Sequence, residues 1–547
     1  MTYEKDIPDY AMVPAREIEE KVIVPVTGNA VYTPVQVTNI SEKPKTVITI
    51  EEDILVPDTK PDLREILLID GSALLSSREI DRINKTDDYI GLSGEVELKT
   101  LYVPENRQAA GPVIAVQTRV PFKERWHTDI APGATLIMDC CAEKIEYMVI
   151  NERKYRVKIS LSIAARECID RKVDIFEGLS GEDLQMLKER AEITNISLRK
   201  KDTLTISENL EIKEEGNFES ILKQDISVAE NYKQITAEKI VINGFIYVNL
   251  LYTVTGESTC DSIRQAQERV EFTQFIPIKQ QAEGVGSICF DSSGLRVKLV
   301  QDEEQGEVFR LEGEIITFAE LYTVTERDII VDGYHREKDF ICDFTEERSR
   351  VPVATSTGEA SVREIISPDA AYGEVEKILY TTGEIVDSES RGEQGKVITE
   401  GTLQAKMICV SLRNEEEPQI FSIRQGVPFR VVTTVPQMTG GEIISAKTQV
   451  RDIWAEKING KQLEFNATVM VGAEIMREVA FKVLTNPAFE ESTSKETMAP
   501  MVVYVAGKDD TLWSIAKKFK TSADSVSKLN ELEDEGIVQG RKLLIIR

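Results

Sequence analysis

Gly244-Phe-Ile-Tyr-Val-Asn-Leu-Leu-Tyr252 is the stretch that decides the fold. Its apolar side chains recur at a period of two, the signature of a β-strand with one buried and one solvated face. The run has counterparts at Gly94-Glu-Val-Glu-Leu-Lys-Thr-Leu-Tyr102 and Gly401-Thr-Leu-Gln-Ala-Lys-Met-Ile-Cys409, a spacing of about 150 residues. Twenty-eight residues after each glycine stands the phenylalanine of a Val-x-Phe triplet: Val120-Pro-Phe122, Val270-Glu-Phe272 and Val427-Pro-Phe429. A second alternating run follows 33–37 residues later, beginning at Tyr155, Phe309 and Phe465. Turn residues bound these runs at Asn106, Asn151, Asp291-Ser-Ser-Gly294 and Asn459-Gly460, and Asn-Gly between apolar runs is the strongest short hairpin signal.

The chain is therefore predicted to be mainly β. About three antiparallel β-sandwich or barrel-like repeats precede a small α+β module of βααβ order. The expected division is N-terminal strands over 1–53 joining the first unit, repeat 1 over 54–170, a helical connector over 171–205, repeat 2 over 206–337, repeat 3 over 338–485, a linker over 486–500 and the C-terminal module over 501–547. Ser180-Gly-Glu-Asp-Leu-Gln-Met-Leu-Lys-Glu-Arg190 has the spacing of a short capped helix. Phe218–Leu222 and Val362–Ile366 are expected to be single helical turns.

Composition narrows the function. With 547 residues, several cores are required. A net charge of −28 excludes a nucleic-acid binder, which needs a basic footprint, and opposes adsorption to anionic membranes. No charged-then-apolar leader pattern opens the sequence, and no run reaches the ~20 apolar residues of a membrane span. Seven cysteines without a CxxC pair indicate reduced, mostly buried thiols and a cytoplasmic protein, with neither a disulfide framework nor a zinc site. Of Cys140 and Cys141, adjacent on a strand, one thiol is expected inside and one outside.

The C-terminal module follows a polar stretch, Asn486 to Pro500, read as a flexible linker. Val502-Val-Tyr-Val505 and Lys542-Leu-Leu-Ile-Ile546 are its strands. Between them Leu512, Ile515, Ala516 and Phe519 share one helical face. Thr521, with Asp524 three residues on, is read as the cap of a second helix whose buried face is Val526 and Leu529. Residues 501–547 hold eight Lys/Arg and seven Asp/Glu, net +1, which leaves −29 on the rest of the chain.

Tyr504-Val, Asp510-Thr-Leu-Trp-Ser-Ile-Ala-Lys-Lys-Phe519, Leu529-Asn530, Ile537, Gly540 and Lys542-Leu-Leu-Ile545 resemble the LysM family. The resemblance implies a shallow groove for N-acetylglucosamine-containing glycans. Its positions here are Asp509, Asp510, Thr511, Leu512, Ile537, Val538 and Gln539, with Trp513 and Asn530 as further candidate contacts. Two of them depart from the family pattern: Asp509 replaces the usual glycine and Gln539 the usual proline. The first adds bulk and charge where sugar lies against main chain.

Ile54-Leu-Val-Pro-Asp-Thr-Lys-Pro-Asp-Leu-Arg-Glu-Ile-Leu67 resembles the opening of the SPOCS domain of spore-coat proteins. Leu210–Leu222 is a worn version of it. SPOCS repeats followed by one LysM module are similar to the SipL family of clostridial spore-coat morphogenetic proteins, analogous to SpoVID of bacilli. The resemblance implies a mother-cell cytosolic protein at the forespore surface. It also implies a LysM module that docks on the coat-basement ATPase, SpoIVA-like, in place of glycan.

Nothing in the residues argues for catalysis. The two histidines, His127 and His335, fall in different repeats without a partner at useful spacing. Phosphate loops and nucleophile elbows are missing, and no cofactor or metal is expected. The expectation is a non-enzymatic scaffold for coat assembly. The alternative is a peptidoglycan-binding protein of the wall or cortex. Trp513 is read either as an exposed anchor for a partner or as packed within its own module.

Overall fold

In the computed structural model, each repeated glycine faces its phenylalanine across an antiparallel hairpin: Gly94 pairs with Phe122, Gly244 with Phe272 and Gly401 with Phe429. The ring covers backbone that glycine leaves bare. A Cβ added at these glycines would lie 2.5–2.8 Å from the ring Cζ and 2.2–2.6 Å from a carbonyl oxygen on the other neighbouring strand. The offset of 28 thus reports one conserved register. The described residues are 22–26, 30–80, 89–106, 111–212, 217–255, 260–278, 285–303, 306–411, 418–491, 499–532 and 539–546.

Strand β1 (Val22–Pro25) precedes three similarly built units. The first contains β2 (Ala30–Leu55), β3 (Leu63–Leu75), β4 (Glu79–Ile80), β5 (Ile90–Pro104), β6 (Ile114–Trp126), β7 (Thr135–Asn151) and β8 (Lys154–Leu179). The second contains β9 (Leu184–Asn209), β10 (Phe218–Ile235), β11 (Lys239–Val254), β12 (Ile263–Pro277), β13 (Val285–Asp291), β14 (Arg296–Asp302) and β15 (Gly306–His335). The third contains β16 (Asp339–Ile366), β17 (Val375–Glu393), β18 (Lys396–Ser411), β19 (Gln419–Thr434), β20 (Ile443–Asn459) and β21 (Gln462–Glu491). In each, a three-stranded antiparallel meander (β3-β5-β6, β10-β11-β12, β17-β18-β19) packs on a sheet built around a long strand pair (β2/β8, β9/β15, β16/β21). The sandwich cores centre on Tyr102 with Tyr155, Tyr252 with Phe309, and Cys409 with Phe465, each at most 1% exposed.

The units close around a shared axis. The first strand of each meander carries a bulge at the same place, between Ile66 and Leu68, Ile221 and Lys223, and Ile378 and Tyr380. The extra residues, Leu67, Leu222 and Leu379, enter one apolar cluster with Leu101, Leu251 and Ile408. Burying each such side chain contributes about 1.5–3 kcal/mol, so this cluster, fed by all three units, is the main cohesive contact. A second shared cluster joins Val37 and Ile175, Ile193 and Ile329, and Phe481 and Val483 along the long strand pairs.

Polar contacts run around the same axis. Five residues after each repeated glycine stands a side chain that donates to the next unit. Lys99 Nζ reaches the Gln224 carbonyl (2.8 Å), Asn249 Nδ2 the Thr381 carbonyl (3.2 Å), and Lys406 Nζ returns to Asp70 Oδ1 (2.8 Å). Lys223, 2% exposed, lies at the centre. Its ammonium pairs with Asp70 Oδ2 at 2.9 Å and with Asp225, and lies 3.3 Å from the Tyr380 hydroxyl, which itself donates to Asp225. Burial pushes the Asp70 carboxyl up, but the charges of Lys223 and Lys406 more than reverse this and hold it below the usual carboxylate range. Burial disfavours charge on Lys223 too, and Asp225 and Asp70 outweigh it, raising the ammonium pKa.

Several local expectations are corrected. No helix forms over Ser180–Arg190. Gly181 turns the chain (φ 80°) and β9 begins at Leu184, laddered on β15. An isolated helix of that length is marginal, whereas the ladder supplies a partner at every residue. The helical connector over 171–205 is therefore the end of β8 and the start of β9. Phe218–Leu222 and Val362–Ile366 are likewise strand, in β10 and β16. β1 pairs with Ala488–Glu491 of β21, so the N-terminal strand joins the third unit, while β2 joins the first. The same pairing makes Asn486–Glu491 strand instead of linker. Of the cysteines, Cys168 and Cys409 are buried, Cys141 is exposed and four are intermediate.

Two measurements check this account. Gly244→Ala drives a methyl into Phe272 and the Ala229 carbonyl and is expected to cost about 1–3 kcal/mol, read from denaturant unfolding. Lys223→Leu copies Leu68 of the first unit yet takes the ammonium from Asp225 and leaves Asp70 with Lys406 alone. It is expected to cost about 3–5 kcal/mol, and a change under 1 kcal/mol would show that the charge network is not holding the axis.

Candidate functional site

The C-terminal module folds as β22 (Met501–Val505), α1 (Leu512–Lys518), α2 (Ala523–Leu529) and β23 (Lys542–Ile546). The strands pair antiparallel, Met501 with Ile546 through Val505 with Lys542. Ala506, Ile515, Ala516, Val526, Leu543 and Ile545 form its core. Thr511 caps α1 by accepting from the Ser514 amide, with Ser514 reciprocating. The cap of α2 is Ser522, not Thr521, whose hydroxyl instead donates to the Ile546 carbonyl at 3.0 Å. Leu529 is 40% exposed, so Val526 is the buried residue of that helix.

The candidate groove residues divide by role. Asp510 accepts from the Gly507 amide (2.6 Å) and the Tyr504 hydroxyl (2.8 Å), which hold its carboxyl below the ordinary value and shape the loop before α1. Asn530 bridges elements: Nδ2 donates to the Val526 and Leu544 carbonyls (2.9 and 2.7 Å) and Oδ1 accepts from the Leu544 amide (2.6 Å). Leu512 packs against the core. Asp509, Thr511 and Gln539 are exposed. Ile537 and Val538 lie outside the described residues.

Trp513 follows neither reading of the sequence. It packs edge-to-face on Tyr334 of β15, ring centroids 5.0 Å apart, and its Nε1–H donates to Asp332 Oδ2 at 2.8 Å. Lys517 Nζ donates to Asp332 Oδ1 and Lys520 Nζ to Asp339 Oδ1, both at 2.6 Å. The Tyr334 hydroxyl donates to the Thr521 carbonyl, and its ring joins the module's core cluster. Burial raises the Asp332 carboxyl, but hydrogen bonds from Lys517 and Trp513 lower it further. The acidic counterpart of the lysine cluster is thus in the same chain. No sequence signal singled out Asp332 or Tyr334, which lie about 180 residues from Trp513.

The histidines and the cysteine pair lie apart from this contact. His335 Nδ1 accepts from the Glu337 and Lys338 amides (3.0 Å each), and Nε2 lies 3.2 Å from Glu182. His127 is exposed beside Tyr89. Cys140 packs against the core and Cys141 faces out, and burial raises both thiols, Cys140 to about 11. Among the described residues no group of three His, Cys, Asp or Glu has metal-holding geometry, and no helix is long and apolar enough to cross a membrane. The two best-formed depressions have room for about 10 Å³ or less, against about 300–1,000 Å³ for a small-molecule pocket.

Comparison with protein families agrees with this architecture. Residues 217–291 and 374–458 match the family described as SipL, SPOCS domain, and residues 504–545 match LysM domain. The chain carries SPOCS and LysM domains. The two SPOCS matches cover the meander of the second and third units together with the strands that follow, β13 in one and β20 in the other. No curated protein and no solved structure gives a significant match.

Asn530→Ala removes three buried-side hydrogen bonds from the LysM domain. It is expected to destabilise the domain by about 1–3 kcal/mol, measured as faster amide exchange in β23 with β8 and β15 unchanged.

Proposed function

We propose that the protein is a non-enzymatic scaffold of spore-coat assembly whose SPOCS units form a rigid body and whose LysM domain engages a protein partner, the coat-basement ATPase. The SPOCS and LysM matches support a sporulation-related protein. The observation that carries the finer reading is the use of Trp513. In this chain helix α1 meets a protein surface through an aromatic anchor flanked by lysines, which is hot-spot chemistry. The neutral LysM domain on a body of charge −29 supports docking by one end while the body repels non-specific neighbours. On this reading the protein works on the mother-cell side of the forespore surface.

Glycan binding is the second reading. It is favoured by the family match and by the exposure of Asp509, Thr511 and Gln539 on the loops flanking the groove.

The test is titration of the full chain with the purified coat-basement ATPase and, separately, with muropeptide fragments. Low-micromolar ATPase binding that is lost on Leu512→Arg or Trp513→Glu is the expected result. Saturable muropeptide binding without ATPase binding would replace the scaffold with a wall or cortex lectin.

A further inference from the structure

Trp513, Lys517 and Lys520 are the residues of α1 and its C-terminal end that the LysM domain would offer to a partner, and all three are engaged by the body. Their partners lie at the end of β15 and the start of β16: Asp332 and Asp339 accept hydrogen bonds, and Tyr334 offers its ring to Trp513. This is a finished receptor. Asp332 divides its carboxylate between the Trp513 indole and the Lys517 ammonium while its Oδ1 also accepts from the Gly333 amide at 2.8 Å. Tyr334, 5% exposed, is covered by a domain that begins more than 160 residues later in the chain. The end of β21, the corresponding strand of the third unit, is covered instead by β1, so the body caps two of its long-strand ends with separate pieces of chain.

We infer that the SPOCS body latches its own LysM domain, with Asp332, Tyr334 and Asp339 covering the Trp513 face so that partner binding and body docking are mutually exclusive. This rests on the reading of the LysM domain as a protein-docking module. Only residues 492–500 separate β21 from β22, so the contact is intramolecular and is favoured by a high effective concentration. The contact is also built to open. It consists of the Tyr334 ring and hydroxyl against Trp513 and Thr521, the indole bond to Asp332 and two lysine–aspartate hydrogen bonds, and Lys517 remains about half exposed. A partner that presents an acidic and aromatic surface of the same kind competes for the same groups. A latch of this type lowers apparent affinity by the fraction of molecules that are open.

The experiment uses the full chain labelled with 5-fluorotryptophan, whose three resonances are assigned with Trp513→Phe. Asp332→Asn and Tyr334→Phe are the conservative openers, and Asp332→Ala/Tyr334→Ala is the stronger one, with thermal unfolding as the folding control. The expected result is that opening moves the Trp513 fluorine signal to a solvent-exposed position and tightens ATPase binding by about tenfold, since apparent affinity scales with the open fraction. A Trp513 signal that is already solvent-exposed in the wild-type chain and unmoved in every variant overturns the latch. A signal that moves while ATPase affinity stays the same also overturns it, because the covered face is then not the one the partner uses. If neither the wild-type nor the opened chain binds ATPase, the scaffold reading fails, and the fluorine signal alone decides whether the domain is held by the body.

Discussion

The arrangement of the three units depends on how they close around one axis, and Lys223 occupies its centre. A lysine ammonium with almost no solvent access is tolerated only beside compensating charge, and here the first unit supplies Asp70, its own strand Asp225, and the third unit the Tyr380 hydroxyl. The surrounding leucines provide most of the cohesion, because apolar burial has no desolvation penalty to overcome. The charged group provides alignment. Slippage of any one unit would leave a buried ion unpaired, at a cost of about 3–5 kcal/mol.

The three-fold design is not symmetric at that point. The bulged first strands place Leu68, Lys223 and Tyr380 at equivalent positions, and the central strands place Lys99, Asn249 and Lys406 at another. An identical residue at all three would set like charges or three identical rings against one another. Divergence between units therefore turns a repeated fold into one body with a fixed order of units around the axis. β1 extends this by tying the start of the described chain to the end of the third unit.

The LysM domain divides its family-pattern residues between two structural tasks. Asp510 and Asn530 match a family pattern because they hold the loop and the second helix in place, whereas Trp513 and Lys517 turn outward and meet the body. The same helix thus carries both the fold of the domain and its contact with the body.

By itself the sequence determined the strands and their repeat. Alternation in the runs at Gly94, Gly244 and Gly401 placed the strands, the glycine-to-phenylalanine offset marked the repeat, and the LysM pattern was complete enough to order two strands and two helices. These are short-range properties, set by side-chain period and turn chemistry within a few tens of residues. Tertiary structure decided the rest. The run from Ser180 to Arg190 has helical spacing but becomes a turn and, from Leu184, a strand because β15 offers a hydrogen-bonding ladder. β1 joins the third unit because its partner edge lies about 465 residues away. Lys223 and Trp513 look like surface residues until distant carboxylates converge on them. Burial and pairing of charge depend on which segments meet in space, and no local pattern encodes that meeting.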